Sequence, residues 1–167
     1  MDLIVKSPNL AVWGGHEMRC AIGRGGMIAA SDKREGDGAT PVGRWPMREI
    51  IYRADRLHIP ACALPLRAMQ PDDGWCEQPD DINYNKLVTS PYVVPVDQMW
   101  RDDHLYDVVI VLGYNDNPVV AGKGSAIFLH LARPDFSPSA GCVTLSSDDV
   151  LRIVREATPQ STVTVTD

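Results

Sequence analysis

Short apolar segments separated by glycine-rich turns recur along this chain and constrain its fold more than any other feature. Residues 10–13 (Leu-Ala-Val-Trp) run into Gly14-Gly15, and residues 17–22 run into Gly23-Arg24-Gly25-Gly26. Such a pattern is typical of β-hairpins, because glycine adopts the backbone angles of tight turns at little steric cost. The first 30 residues therefore predict consecutive short strands.

The rest of the chain continues this β pattern and adds one clear helix. The helix is predicted over about residues 150–157, where Ser146-Ser147-Asp148-Asp149 supplies N-terminal capping groups. The stretch 60–105 is rich in Pro and Asp, and a long irregular stretch of this kind usually forms a lid or a cleft wall. Further strands are predicted at residues 44–52, 105–112, 125–131 and 162–166.

The predicted fold class is mainly β, a β-sandwich or barrel-like body with one or two packed helices. A length of 167 residues suits one domain that spans residues 1–167. With 16 Lys and Arg against 22 Asp and Glu, the net charge is −6, which argues against nucleic acid as a partner. No apolar run approaches the ~20 residues of a membrane-spanning helix, so no membrane insertion is predicted. The sequence does not indicate an oligomeric state.

The N-terminus bears on where the protein works. Residues 1–8 lack the basic region and the apolar run of a secretory signal. They predict a cytoplasmic protein, one that is exported by another route, or one whose export signal is not part of this sequence.

The four cysteines, Cys20, Cys62, Cys76 and Cys142, are widely spaced and include no C-x-x-C pair. This spacing argues against a zinc site, and no metal or other cofactor is predicted. Two disulfides would be possible in an oxidising compartment. Alternatively, Cys20 and Cys62 are buried apolar residues.

His130 and Cys142 are the strongest candidates for chemistry, because each lies at the end of a predicted strand. An imidazole within reach of a thiol is a common way to generate the nucleophilic thiolate near neutral pH. Gly141 permits a sharp turn and leaves backbone amides that can stabilise an oxyanion. The pair predicts acyl transfer through a thioester; the alternative is a buried cysteine and an unrelated strand histidine.

Three sequence blocks resemble the L,D-transpeptidase catalytic-domain family, the YkuD-type fold. They are residues 40–45 (Thr-Pro-Val-Gly-Arg-Trp), 125–130 (Ser-Ala-Ile-Phe-Leu-His) and 139–145 (Ser-Ala-Gly-Cys-Val-Thr-Leu). The blocks occur in the family's order, and the resemblance covers about residues 1–167. The chain looks most like the short, single-domain proteobacterial branch. The resemblance implies a β-sandwich-like fold, no cofactor, and peptidoglycan stem peptides (muropeptides) as partners.

The resemblance also implies catalytic roles. Cys142 would attack the diaminopimelate carbonyl of a stem peptide and expel the terminal D-Ala, while His130 would activate the thiol and protonate the leaving amine. The amides of Gly141 and Cys142 would hold the oxyanion, and Ser139 would orient the loop or His130. Acylation of Cys142 by a carbapenem would be expected.

The second step of the reaction leaves alternatives. An acceptor amine would give a cross-link in the periplasm or cell wall, with a role in cell-wall biogenesis and cell shape. Water would instead make the protein an L,D-carboxypeptidase, which suits recycling in the cytoplasm. A third alternative is a catalytically inert peptidoglycan-binding module.

Two positions depart from the family pattern. Ala140 stands where many members have His, and Thr144 stands where many have an Arg that helps to hold the substrate. Arg133 is a candidate replacement, since a guanidinium can bind a carboxylate through two hydrogen bonds, although it can equally be a solvated loop charge. We assign both Arg133 and Thr144 to substrate binding.

Aromatic residues supply the remaining candidates for substrate contact. Trp75, Tyr84, Trp100 and Tyr114 could wall a groove for a sugar-peptide, because aromatic faces bind such ligands well. The alternative for each is packing in the core or on the surface. Lys33 is interpreted as a surface charge.

Overall fold

The structure, a computed structural model, describes residues 1–59 and 61–166, and most of its regular structure is β. Thirteen strands and one helix occur in this part of the chain. The strands are β1 (Asp2–Lys6), β2 (Leu10–Trp13), β3 (His16–Ala21), β4 (Met27–Ala29), β5 (Thr40–Tyr52), β6 (Leu66–Ala68), β7 (Asp73–Cys76), β8 (Leu87–Thr89), β9 (Val96–Gln98), β10 (Val108–Leu112), β11 (Phe128–Leu131), β12 (Val143–Leu145) and β13 (Thr162–Thr166). The helix α1 (Ser147–Glu156) lies between β12 and β13. The prediction of a mainly β fold is confirmed.

Eight strands form a closed circuit of hydrogen-bonded neighbours, which makes the main sheet barrel-like. The circuit runs β5-β10-β11-β12-β3-β2-β1-β13 and returns to β5. Strand β5 closes it because its 13 residues pair with two different partners. Residues 43–46 pair with β13, and residues 47–52 pair with β10. Strands β4 and β6 are short parallel additions to β5.

Strand β10 shows why the core has two parts. Its sequence Val-Val-Ile-Val-Leu is buried at every position, as expected of a strand that is covered on both faces. Val108 and Ile110 point into the core enclosed by the sheet, whereas Val109 and Val111 point into a second core on the outer face. Successive strand side chains alternate between faces, so one continuous apolar run serves both cores.

Helix α1 fills the enclosed core from one side. Val150, Ile153 and Val154 are buried there, at the spacing that places side chains on one face of a helix. The Ser146 side chain accepts a hydrogen bond from the backbone N–H of Asp149 at 3.2 Å and caps the N-terminus, as predicted. The helix begins at Ser147, three residues before the predicted start, because Ser147 and the two Asp residues form its first turn.

The stretch 60–105 is less irregular than predicted. It contains β6 and a separate three-stranded sheet in the order β8-β7-β9. Trp75 and Met99 from this small sheet and its flank pack against Phe128, and together they form much of the second core. The small sheet therefore covers the outer face of β10 and β11. Two predicted strands, 105–112 and 125–131, begin three residues later than expected, at Val108 and Phe128.

All four cysteines are free thiols. Cys20 lies in the enclosed core, and Cys62 packs partly buried against it, as in the apolar interpretation. Nowhere in residues 1–59 and 61–166 is there a helix long and apolar enough to span a membrane. The same residues contain no group of three or more His, Cys, Asp or Glu side chains arranged to hold a metal ion.

Candidate active site

The fold brings His130 and Cys142 to one cavity. Strands β11 and β12 are parallel neighbours in which His130 lies opposite Thr144. Cys142 directly precedes β12, two residues before Thr144, so its side chain emerges on the same face as that of His130. Both side chains line a cavity of about 310 Å³. The predicted meeting of the two strand ends therefore has a structural basis.

The Cys142 thiol is held by backbone groups at the start of β11. Its Sγ donates to the carbonyl oxygen of Ala126 at 3.1 Å and accepts from the backbone N–H of Phe128 at 3.4 Å. Ala126 has a positive φ of 52°, and its own N–H donates to Asn85 Oδ1 at 3.0 Å. The buried side-chain amide of Asn85 thus helps to hold Ala126, whose carbonyl oxygen accepts the hydrogen bond from the thiol.

Burial sets the protonation state of Cys142 and His130. Desolvation raises the pKa of Cys142 to about 12, although the Phe128 N–H acts in the opposite direction. Desolvation also lowers the pKa of His130 to about 4, despite backbone hydrogen bonds that favour the charged ring. At neutral pH the pair is therefore a thiol and an uncharged imidazole. Neither the thiolate nor the imidazolium is the resting form, because burial of the two side chains disfavours both charges.

The His130 ring is oriented for the role of a base. Its Nδ1 lies 3.0 Å from the carbonyl oxygen of Leu131, which fixes the proton of a neutral ring on Nδ1 and leaves Nε2 as the acceptor. The Tyr106 ring packs edge-on against the imidazole, with the ring centroids 5.0 Å apart. Tyr106 also lines the cavity, so it supports the imidazole at the site itself.

Ser139 shapes the loop that carries the candidate nucleophile Cys142, residues 139–142, which is called the nucleophile loop below. Its Oγ donates to the carbonyl oxygen of Cys142 at 2.6 Å and accepts from the N–H of Gly141 at 3.1 Å. Of the two roles predicted for Ser139, these contacts match orientation of the loop. Because the Gly141 amide is already bound to Ser139, the predicted pair of oxyanion donors is reduced to the amide of Cys142.

Gly141 is required by the backbone of this loop. Its φ of +141° lies in a region that residues with a side chain rarely adopt. A Cβ added there would lie 3.0 Å from the carbonyl oxygen of Ala39. Glycine at position 141 therefore lets the loop pack against Ala39, directly before β5, more closely than a residue with a side chain allows.

The first motif block, residues 40–45, supports the loop from β5. The fully buried Thr40 hydroxyl accepts from the N–H of Gly23 at 2.9 Å and donates to the carbonyl oxygen of Gly141 at 2.9 Å. The Trp45 ring lies over Gly43, where an added Cβ would come within 2.4 Å of a ring carbon. The block thus acts on the nucleophile loop, about 100 residues away in sequence.

The cavity wall carries both signs of charge. Its charged residues are Arg24, Lys33, Arg101 and Arg133, together with Glu35, Glu77 and Asp97. Partial burial, followed by repulsion from Asp97 and Glu35, raises the pKa of Glu77 to about 7. Burial also raises the pKa of Asp97, which accepts a hydrogen bond from the Tyr106 hydroxyl at 2.8 Å.

Most of these wall residues were not predicted from the sequence. They come from separate loops and strands between residues 24 and 133, and no local spacing connects them. Lys33, interpreted as a surface charge, is buried and pairs with Asp37 at 2.6 Å. Glu35 accepts hydrogen bonds from Ser125 Oγ at 2.7 Å and from the Tyr84 hydroxyl, which anchors the 31–39 loop beside the cavity.

Three of the four aromatic residues predicted to wall a groove are buried in the interior instead, and the fourth, Trp100, is half-buried. Trp75 stacks edge-on against Phe128, with ring centroids 4.9 Å apart, and its Nε1 donates to a buried amide. Tyr84 and Tyr114 are buried, and each hydroxyl is used in an internal hydrogen bond. Trp100 lies under the guanidinium of an arginine. None of the four is among the residues that line the cavity, because their rings pack against the cores and loops of the protein.

The two remaining substrate-binding candidates differ in position. Arg133 is exposed and lines the cavity, which suits the role predicted for it. Thr144 lies beside His130 in the sheet, but it is only 3% exposed and is not part of the described lining. Its Oγ1 has no hydrogen-bond partner among the described residues. Thr144 is therefore a buried neighbour of His130 in the sheet and is not among the residues that line the cavity.

Comparison with known proteins gives one match. The family model described as YkuD, the L,D-transpeptidase catalytic domain, matches residues 5–165. This range includes the three sequence blocks and nearly all of the described fold. No curated protein and no solved structure matched the chain.

Proposed function

The chain belongs to the YkuD family of L,D-transpeptidase catalytic domains, and on that premise we propose that it cross-links peptidoglycan stem peptides. Members of this family are generally cysteine-dependent enzymes that modify peptidoglycan. The observation that carries the proposal is a single cavity that both the Cys142 thiol and the His130 imidazole line. The specific reaction follows from what these two groups can do there.

The first half-reaction forms a thioester. When the donor stem peptide enters, the S–H of Cys142 leaves the Ala126 carbonyl and passes its proton to Nε2 of His130. The sulfur attacks the carbonyl of diaminopimelate, and the amide of Cys142 stabilises the oxyanion. The tetrahedral intermediate then collapses, its C–N bond breaks, and the His130 imidazolium protonates the departing amine of D-Ala.

The second half-reaction releases the enzyme. Neutral His130 accepts a proton from the side-chain amine of an acceptor stem as that amine attacks the thioester. The C–S bond breaks, and the proton returns to the Cys142 sulfur. Because burial disfavours a resting ion pair, proton transfer occurs with each attack rather than before it.

The charged wall of the cavity suits such a substrate. A diaminopimelate side chain ends in an amine and a carboxylate, so it carries both charges near neutral pH. Arg133 and Arg24 are exposed at the wall and can bind a carboxylate. Asp97 and Glu77 can receive the amine. In this arrangement Arg133 takes the role that many relatives give to an Arg two residues after the cysteine.

The testing experiment is mass spectrometry of the protein incubated with a disaccharide-tetrapeptide that contains diaminopimelate. A cross-linked dimer that requires Cys142 supports the proposal. Monomeric tripeptide with free D-Ala indicates an L,D-carboxypeptidase, in which water resolves the thioester. No turnover, together with no labelling of Cys142 by a carbapenem, indicates an inert binding module. Cys142→Ala is the test variant, and Cys62→Ala is the matched control that keeps activity.

The place of action is part of the proposal. Cross-linking requires the periplasm or cell wall, so cell fractionation is expected to find the protein there. Recovery only from the cytoplasm would favour the carboxypeptidase, which trims recycled tetrapeptides.

A further inference from the structure

We propose that Thr40 is a positioning residue that aims the backbone N–H of Cys142 at the oxyanion. The inference rests on the acyl-transfer function proposed above and assigns part of that chemistry to a residue about 100 positions away from the nucleophile. Thr40 does not line the described cavity wall, so it acts through the backbone of the nucleophile loop.

The direction of each Thr40 hydrogen bond is fixed by the partners. The Gly23 N–H can only donate, and the Gly141 carbonyl can only accept. The hydroxyl therefore receives the first hydrogen bond and gives its single proton to the second. Thr40 is fully buried, so water does not compete for either position. One hydroxyl thus joins the Gly23 turn, the start of β5 and the nucleophile loop.

The contact with Gly141 determines where the Cys142 amide points. The carbonyl of Gly141 and the N–H of Cys142 belong to one planar trans peptide group, in which they point in opposite directions. Fixing the carbonyl therefore fixes the N–H. A hydrogen bond accepted by the carbonyl also polarises the peptide and makes its N–H a stronger donor.

The neighbouring contacts explain why this peptide needs an external support. Ser139 binds the N–H of Gly141 and the carbonyl of Cys142, which are the groups on either side of the peptide in question. Gly141 has no side chain that could restrict rotation of the peptide, and its φ of +141° requires glycine. Thr40 supplies the contact that Ser139 does not make.

The test compares Thr40→Val with Thr40→Ser. Valine keeps the shape of the side chain and removes the hydroxyl, so we expect kcat to fall ~10–100-fold with little change in KM, since loss of a whole oxyanion donor costs ~10²–10³-fold. Serine keeps the hydroxyl and is expected to retain kcat within a few-fold. Transfer of the acetyl group of 4-nitrophenyl acetate to Cys142 is measured in parallel, because this reaction also forms an oxyanion and needs no stem peptide.

Alkylation of Cys142 by iodoacetamide separates aiming of the amide from general damage. This displacement at a saturated carbon forms no oxyanion, so Thr40→Val is expected to alkylate at the wild-type rate. Unchanged acyl transfer in Thr40→Val, an equal loss of acylation and alkylation, or a Ser variant as slow as the Val variant would each overturn the inference. If Thr40→Val does not fold, Thr40→Ala carries the same expectations.

The two proposals fail in different ways. A wild-type protein that accepts the acetyl group but leaves the disaccharide-tetrapeptide unchanged counts against the proposed function alone. A Thr40→Val protein that accepts the acetyl group as fast as the wild type counts against Thr40 alone.

Discussion

Replacing His130 by Gln removes a buried titrating ring, and we expect this to change how stability depends on pH. The pKa of His130 is lowered from its ordinary value of 6.5 to about 4 by burial. A histidine whose pKa is lower in the folded state adds stability while it is neutral. That contribution is complete above about pH 6.5 and is lost as the pH falls through about 4.

The size of the effect follows from the two pKa values. Each unit of difference corresponds to ~1.4 kcal/mol, so folding opposes protonation of His130 by about 3 kcal/mol. The wild type should therefore lose about 3 kcal/mol more than His130→Gln between pH 7 and pH 4. Carboxylates also titrate in this range, but they are common to both proteins and cancel in the difference.

The assay is urea unfolding at half-unit pH steps from 7 to 4, with the free energy of unfolding extrapolated to water. His58→Gln is the matched control, because the His58 side chain is exposed, and its curve should follow that of the wild type. A difference between wild type and His130→Gln that stays constant over this range would refute the reasoning. It would mean that the ring is solvated or already charged in the folded protein.

Three further predictions test the site. Iodoacetamide should alkylate Cys142 at a rate that keeps rising through pH 10, because the pKa of the Cys142 thiol is about 12; the rate with Cys142→Ala is subtracted as background. A plateau near pH 7 would instead indicate a thiolate–imidazolium pair at rest. Gly141→Ala should lower the free energy of unfolding by ~2–3 kcal/mol, through backbone strain and a close contact of the new methyl group with Ala39, directly before β5. Gly122 also has a positive φ but faces open space, so Gly122→Ala should cost only ~1 kcal/mol. Thermal unfolding that ranks the two variants equally would contradict this. Binding of a stem peptide that carries the diaminopimelate amine should strengthen as pH rises through about 7, where Glu77 ionises and can receive that amine. Glu77→Gln should flatten the pH dependence of kcat/KM there; identical pH profiles would exclude Glu77 from the site.

The fold class was predictable because it depends on local pattern. Alternation in β13, the apolar run of β10 and the capping residues of α1 each specify an element through neighbours in the chain. The small sheet of β7, β8 and β9 was not predicted, because its strands are three or four residues long and acquire their pairing from contacts with the second core. Strand starts at Val108 and Phe128 were also set by partners rather than by propensity.

Burial could not be predicted from the sequence at four positions. Trp75, Tyr84 and Tyr114 were candidates for a groove, with packing in the core or on the surface as the alternative, and Lys33 was interpreted as a surface charge, yet all four are buried. An aromatic residue suits a ligand surface and a core equally well in sequence, and only its neighbours in space distinguish the two. The protonation state of Cys142 was equally inaccessible to the sequence, because the pKa of its thiol depends on solvent exclusion by residues far away in the chain.

The sequence alone determined the mainly β class, the positions of His130 and Cys142 at strand ends and the glycine of the nucleophile loop, because these depend on residue type and on spacing over a few positions. Tertiary structure alone decided which charges line the cavity, that His130 and Cys142 are both uncharged at rest, and that Thr40 holds the Gly141 carbonyl. These properties depend on distance and burial. Closure of the sheet by β5 brings residues about 100 positions apart into contact, and no local pattern records such a contact.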